Sequence, residues 1–188
     1  NPHFLFNALN AIAALIPRDP VRAEETVEQL SEVFRYTLTR SEKEWARLAD
    51  EMEFVRAYLD VERARFGERL QATLEVDAEV RDAKVPSMVL QTLVENAIKH
   101  GLSAVRGVGV LSVEAHRVGD DLRLLVRDNG PGPGADDGNE DRDPRAGAGS
   151  GLRNVRERLA GYFGDRARFS ITRDERPFLK LRRRYVRT

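Results

Sequence analysis

Several groups of residues in this 188-residue chain combine side-chain type and spacing in a way that suits chemistry. The first lies in residues 90–101. Wound at about 100° per residue, this run puts Leu90, Leu93, Val94, Ala97 and Ile98 on one arc and Thr92, Glu95, Asn96, Lys99 and His100 on the other. The apolar arc can pack on a sheet, and the polar arc is left to hold a ligand. The Asn96 carboxamide oxygen is a hard, neutral donor suited to Mg2+, which takes one or two protein ligands and completes its shell with phosphates and waters. Lys99 and His100 offer donors to phosphate or ribose oxygens. The Glu95 carboxylate can orient a water, a ligand amine or an Arg.

The second group is Asp128-Asn129-Gly130-Pro131-Gly132. A carboxylate at the end of a strand can accept a hydrogen bond from an exocyclic amine such as that of adenine. Gly130 and Gly132 let the backbone approach where a Cβ would intrude. The third is Gly147, Gly149 and Gly151, which run directly into a helix opening Leu152-Arg153-Asn154. Backbone N–H groups and the helix dipole favour a phosphate at such a place, with Arg153 and Asn154 as added donors. The loop lacks the Gly-Lys-Ser/Thr ending and does not follow a strand directly, so it is neither a P-loop nor a dinucleotide fingerprint. Each motif alone is weak, since turns and linkers use the same residues; together they suggest a nucleotide site.

The elements that must position these residues follow from periodicity. Helical patterns cover 3–16, 21–40 and 45–66, with Pro17 and Pro20 breaking the first from the second and Gly67 ending the third. Along 21–40, Val27, Leu30, Val33, Phe34 and Leu38 are expected to face inward. Two helices joined by a short connection make an antiparallel hairpin, and two hairpins make a four-helix bundle dimer. From residue 70 the period changes to two: Leu70, Ala72, Leu74 and Val76 alternate with polar residues. Val85-Pro86 is expected to open the ligand-bearing helix, Pro suiting its first position. Strands are predicted at 110–117, 122–128, 168–173 and 177–184, and a helix at 152–163. The expected fold class is α+β: a helical region, 1–67, then a two-layer α/β sandwich with a mostly antiparallel sheet, 68–188.

Composition narrows the partners. Formal net charge is zero and charged residues make up 33% of the chain, so bulk charge argues for no nucleic acid. The absence of Cys excludes disulfides and thiolate chemistry. The longest apolar run, 11–16, is far short of the roughly 20 residues a membrane span needs. A start at Asn1-Pro2-His3, with no Met and no signal-like segment, reads as part of a longer protein.

In their order and spacing these residues resemble the Bergerat ATP-binding fold of gyrase, heat-shock chaperones, mismatch-repair ATPases and histidine kinases. The resemblance implies ATP and Mg2+ as cofactors, with Asn96 as the metal ligand, Asp128 reading adenine and the glycine loops forming a mobile lid. Hydrolytic members carry a general-base carboxylate one turn before that Asn; here the position is Thr92, which points to a site that keeps ATP for another acceptor. Residues 1–10, Asn-Pro-His-Phe-Leu-Phe-Asn-Ala-Leu-Asn, closely resemble the phosphoacceptor box of the LytS-type sensor histidine kinases. Residues 58–66 and 91–101 match further blocks of that family.

This second resemblance implies that His3 accepts the γ-phosphoryl group through a nucleophilic imidazole nitrogen. Asn7, one turn on, is placed to orient the phosphoryl group or a water. The acidic neighbour that many histidine kinases use as a base is here Phe4. The family also implies a homodimer, a response regulator receiver domain as partner, a missing N-terminal region serving as membrane sensor, and a place on the cytoplasmic side of the bacterial membrane. The competing readings are a Bergerat ATPase driving a conformational clamp and a non-catalytic nucleotide-binding dimer scaffold. His116 is read as an exposed structural residue, and Asp136, Asp137, Glu140, Asp141 and Asp143 as solvation of the lid.

Overall fold

The computed structural model describes residues 2–40, 43–131, 150–170 and 178–182. Helices α1 (Pro2–Leu15) and α2 (Pro20–Arg40) form the predicted hairpin. Asp19 starts α2 by accepting the Arg22 N–H at 3.0 Å, and Pro20 occupies the first helical position, where a missing N–H costs nothing. The hairpin rests on α3 (Leu48–Phe66). Phe4, Ala8 and Ile12 of α1 and Ala23, Leu30 and Val33 of α2 are buried there, and the Phe4 ring stacks on Tyr58 at 4.6 Å.

The inward face expected of α2 is corrected by this packing. Leu30 and Val33 are buried, but Val27, Phe34 and Leu38 are exposed, together with Phe6, Leu9, Ile16 and Val21. The physical reason is that α2 carries two apolar stripes rather than one. Positions 23, 26, 30 and 33 face α3, while 27, 34 and 38 recur at i, i+7 and i+11 on another side, the spacing of a helix seam.

A second correction concerns residues 45–47, expected to be helical. Trp45–Arg47 is a strand, β1, antiparallel to β3 (Lys84–Pro86), with Trp45 opposite Pro86 and Arg47 opposite Lys84. Three residues are too few for periodicity to separate strand from helix. The pairing satisfies the start of α3, where the Leu48 and Ala49 N–H groups donate to the Ala83 and Arg81 carbonyls, both at 2.8 Å. Pro86 therefore lies in a strand, and the ligand-bearing helix α4 (Val89–Asn96) begins later. Trp45 packs against Tyr162 and Phe163 at 4.9 and 5.7 Å between ring centroids.

Among the described residues the main sheet has five strands in the order β2-β4-β5-β7-β6. They are β2 (Leu70–Val76), β4 (Gly109–Val118), β5 (Asp121–Asp128), β6 (Ala167–Ser170) and β7 (Phe178–Arg182). Among the described residues β2 pairs with β4 in parallel, and β4 with β5, β5 with β7 and β6 with β7 are antiparallel. Leu111, Val113, Ala115, Leu122, Leu124 and Val126 are buried beneath a layer containing α3, α4 and α5 (Ser150–Phe163). Buried apolar side chains run from Phe4 to Phe163 in one cluster. This is the expected two-layer α+β sandwich preceded by helices. Among the described residues no helix is long and apolar enough to cross a membrane.

Candidate functional site

Helix α4 has the two faces its sequence predicts. Leu90, Leu93, Val94, Ala97 and Ile98 are buried, Thr92, Glu95 and Asn96 are half-buried, and Lys99 and His100 are exposed. After Asn96 the helix widens into a π turn over Ala97–Gly101, a local departure common at functional sites. Burial, followed by the neighbouring Lys99 charge, holds the His100 imidazole below its usual pKa.

The end of that turn meets the end of β5. A Cβ on Gly101 would lie 2.4 Å from Asp128 Oδ1, and one on Gly130 would lie 2.4 Å from the Gly101 Cα. Both positions are therefore open only to glycine, and their bare backbones press together beside the half-buried Asp128 carboxylate. Asp128 Oδ1 accepts the Gly130 N–H at 2.8 Å. Asn129 ties this turn to β4: Val110 N donates to its Oδ1 at 2.9 Å, and its Nδ2 donates to the Val108 carbonyl at 2.8 Å. Gly101, Asp128 and Gly130 thus converge from two segments of the chain, with Asn96 five residues before Gly101 at the end of α4.

The start of α5 comes to the same helix. A Cβ on Gly151 would sit 3.1 Å from the Thr92 methyl, and Leu152 is buried. The Thr92 hydroxyl donates to the Met88 carbonyl at 2.8 Å, so it belongs to its own helix. Arg153 is exposed, 3.7 Å from Glu157, and Asn154 is exposed as well. Gly132, Gly147, Gly149 and the acidic residues 136, 137, 140, 141 and 143 lie outside the described residues.

His3 lies on the exposed side of α1, and Asn7 Nδ2 donates to its Nδ1 at 3.1 Å. Glu95 accepts from Gln91 Nε2 at 3.0 Å. On α3, Tyr58, whose ring stacks on Phe4 of α1, hydrogen-bonds Glu62 through its hydroxyl. Burial, then the Glu62 and Glu95 charges, pushes the Tyr58 hydroxyl far above its usual range. Burial also raises the Glu62 carboxyl despite Arg65 at 3.2 Å. His116 is half-buried rather than exposed, 3.2 Å from Asp77 and 3.5 Å from Glu114.

Sequence reasoning missed Glu51. It is fully buried, with Oε1 accepting the Tyr36 hydroxyl and the Met88 N–H, both at 2.6 Å, and Oε2 accepting the Leu90 N–H at 3.0 Å. Burial raises its pKa, and these hydrogen bonds offset only part of that rise. The signal was present: Glu51, Val55, Tyr58 and Glu62 share one helical stripe, so acids occur on an apolar face.

Known proteins give the same arrangement. Residues 1–70 match the histidine kinase family, and residues 81–181 match the histidine kinase-, DNA gyrase B-, and HSP90-like ATPase family. The sensor histidine kinase BtsS of Escherichia coli is 47% identical over 69% of this chain and 23% of its own length. The sensor protein LytS of Staphylococcus haemolyticus is 39% identical over 89% of this chain and 29% of its own. The chain therefore spans about a quarter of the length of these relatives. A solved bacterial phosphotransferase shares the fold, with a TM-score of 0.50 and 16% identity over 95% of this chain and 87% of that one. With that ATPase family matched over more than half of its residues, the chain belongs to the histidine kinase-, DNA gyrase B-, and HSP90-like ATPase family.

Proposed function

We propose that this chain is the core of a two-component histidine kinase, moving the γ-phosphoryl group of ATP to His3 and then to an aspartate of a response regulator receiver domain. The observation that carries the reading is the backbone contact of Gly101 with Gly130 beside Asp128, a cradle that a Cβ would fill and that suits a flat base with an exocyclic amine. Asp128 accepts that amine. Asn96 would hold Mg2+, which when bound neutralises triphosphate charge. Lys99, His100 and the start of α5 at Gly151 and Leu152 face the phosphates, with Arg153 and Asn154 as outer donors. Gly132, Gly147 and Gly149 complete the lid in this reading, and Glu95 orients groups beside Asn96. The functional division stays near residue 67, with the acceptor region before it and the ATP-binding region after it.

Chemistry at His3 depends on Asn7. As it stands, the amide donates to Nδ1, which leaves the neutral ring's proton on Nε2. Half a turn of the amide presents its oxygen to an Nδ1–H and frees the Nε2 lone pair. That pair forms the N–P bond while the bond from the γ-phosphorus to the bridging oxygen breaks and ADP leaves with its electrons. The ring proton then passes to water. Thr92 lacks a carboxylate and its hydroxyl is committed to Met88, which disfavours attack by water on ATP and so the clamp-ATPase alternative.

Labelling with γ-32P ATP tests the proposal. The intact chain should acquire acid-labile, base-stable label, and His3→Gln should acquire none while still binding Mg·ATP. Undiminished label in His3→Gln would reject the acceptor, and free phosphate released at the same rate by both forms would favour the ATPase.

The exposed stripe of Phe6, Leu9, Val27, Phe34 and Leu38 fits a second copy of the same hairpin, giving a four-helix homodimer. Sedimentation should show a concentration-dependent dimer, weakened about a hundredfold or more by Val27→Asp with Leu38→Asp, because each buried charge costs several kcal/mol. Unchanged association would move the interface elsewhere. By family analogy an upstream sensor places this core at the cytoplasmic face of the bacterial membrane.

A further inference from the structure

The Glu51 carboxylate joins three elements, and one of them is strained. Met88, which supplies the cap of α4, has φ 64° and ψ 17°, making it the only non-glycine residue at positive φ among the described residues. An unbranched side chain does not favour that conformation unaided. Its N–H is held by Glu51 Oε1 at 2.6 Å, and its carbonyl accepts both the Thr92 N–H at 3.1 Å and the Thr92 hydroxyl at 2.8 Å. The turn that places Thr92, and one turn later Asn96, therefore begins at a residue kept in place by a side chain from α3. The oxygen holding Met88 also accepts the Tyr36 hydroxyl from α2, whose ring lies 4.9 Å from Phe54. Helix capping needs only the backbone donors at the start of α4, from Met88, Leu90 and Gln91. The Tyr36 hydroxyl is an additional donor that comes from the hairpin, and Glu51 is too deeply buried for water to replace it.

We propose that Tyr36, Glu51 and Met88 form a positioning device that couples the hairpin to the nucleotide helix: displacement of α2 withdraws the Tyr36 hydroxyl, the Glu51 carboxylate reorients, and Met88 and the first turn of α4 lose their anchor. None of the three touches the proposed ligand, so each acts through α4. The consequence for catalysis rests on the reading of α4 as the nucleotide helix, whereas the coupling itself does not.

The experiment measures amide hydrogen exchange of the full chain without nucleotide, in parallel with calorimetric binding of a Mg2+-bound non-hydrolysable ATP analogue. Tyr36→Phe should speed exchange in residues 89–93 about tenfold while β4 and β5 keep their protection, because a local opening is being favoured. Adding Met88→Gly should restore exchange to near the wild-type rate, since glycine takes φ 64° without help. Glu51→Gln, which turns a donor toward one of the two amides, serves as a second variant and should also be rescued in part by Met88→Gly. Wild-type exchange in Tyr36→Phe, failure of Met88→Gly to rescue, or uniform loss of protection across α4 and the sheet would each overturn the coupling. Absence of analogue binding in the wild-type chain would instead sink the nucleotide reading and leave the exchange result to decide this one.

Discussion

Gly130→Ala should abolish nucleotide binding, with affinity falling by a hundredfold or more, and should lower stability by about 1–3 kcal/mol, the usual cost of overpacking. The added methyl would stand 2.4 Å from the Gly101 Cα, 2.6 Å from the Gly101 carbonyl carbon and 2.7 Å from Asp128 Oδ1. Two of those neighbours are backbone, so no rotamer change relieves the clash, and the π turn and β5 must separate. Separation moves Asp128 away from Gly101, so binding should suffer more than the fold. Gly161→Ala is the matched control: nothing lies within 4 Å of its added Cβ, and in the exposed interior of α5 Ala should stabilise by about 0.5–1 kcal/mol. Isothermal titration with an ATP analogue and thermal melts of both variants check the pair. Wild-type affinity in Gly130→Ala would remove the cradle from the site.

Glu51→Leu should destabilise the chain by about 3–5 kcal/mol, although it replaces a buried acid by an apolar residue of similar size. Hydropathy alone predicts the opposite sign. The decision comes from the donors: the Met88 N–H, the Leu90 N–H and the Tyr36 hydroxyl all end on this carboxylate, and each buried donor left unmet costs about 1–3 kcal/mol. The strained Met88 adds to the loss. Chemical denaturation should show a lower midpoint at unchanged slope, and a midpoint at or above wild type would show that the three donors find other partners.

The parts of the fold legible in the sequence were those where one physical signal dominated. The alternation of Leu70 to Val76 and the arcs of Leu90 to Ile98 appear in the structure as read, because a single buried face dictates each pattern. Asp128 and Gly130 were legible as a turn, but their contact with Gly101 was not, since only the pairing of β5 with β4 brings residues this far apart in sequence together. Trp45 to Arg47 was misread because three residues carry no period. The two stripes of α2 were merged because hydropathy marks a residue as apolar without saying which neighbour covers it. Glu51 escaped for a different reason: a carboxylate invites a solvent reading until the positive φ of Met88 shows what it holds.

The parallel pairing of β2 with β4 has a consequence for how the molecule assembles. Antiparallel neighbours such as β4 and β5 can zip from their connecting turn, but β2 reaches its place beside β4 only after the whole intervening stretch, with β3 and α4, has been laid across the sheet. Such a non-local closure is slow relative to the hairpin of α1 and α2. The helices that carry His3 should thus form before β2 closes the sheet, so on the proposed reading the acceptor is in place before the nucleotide pocket is complete.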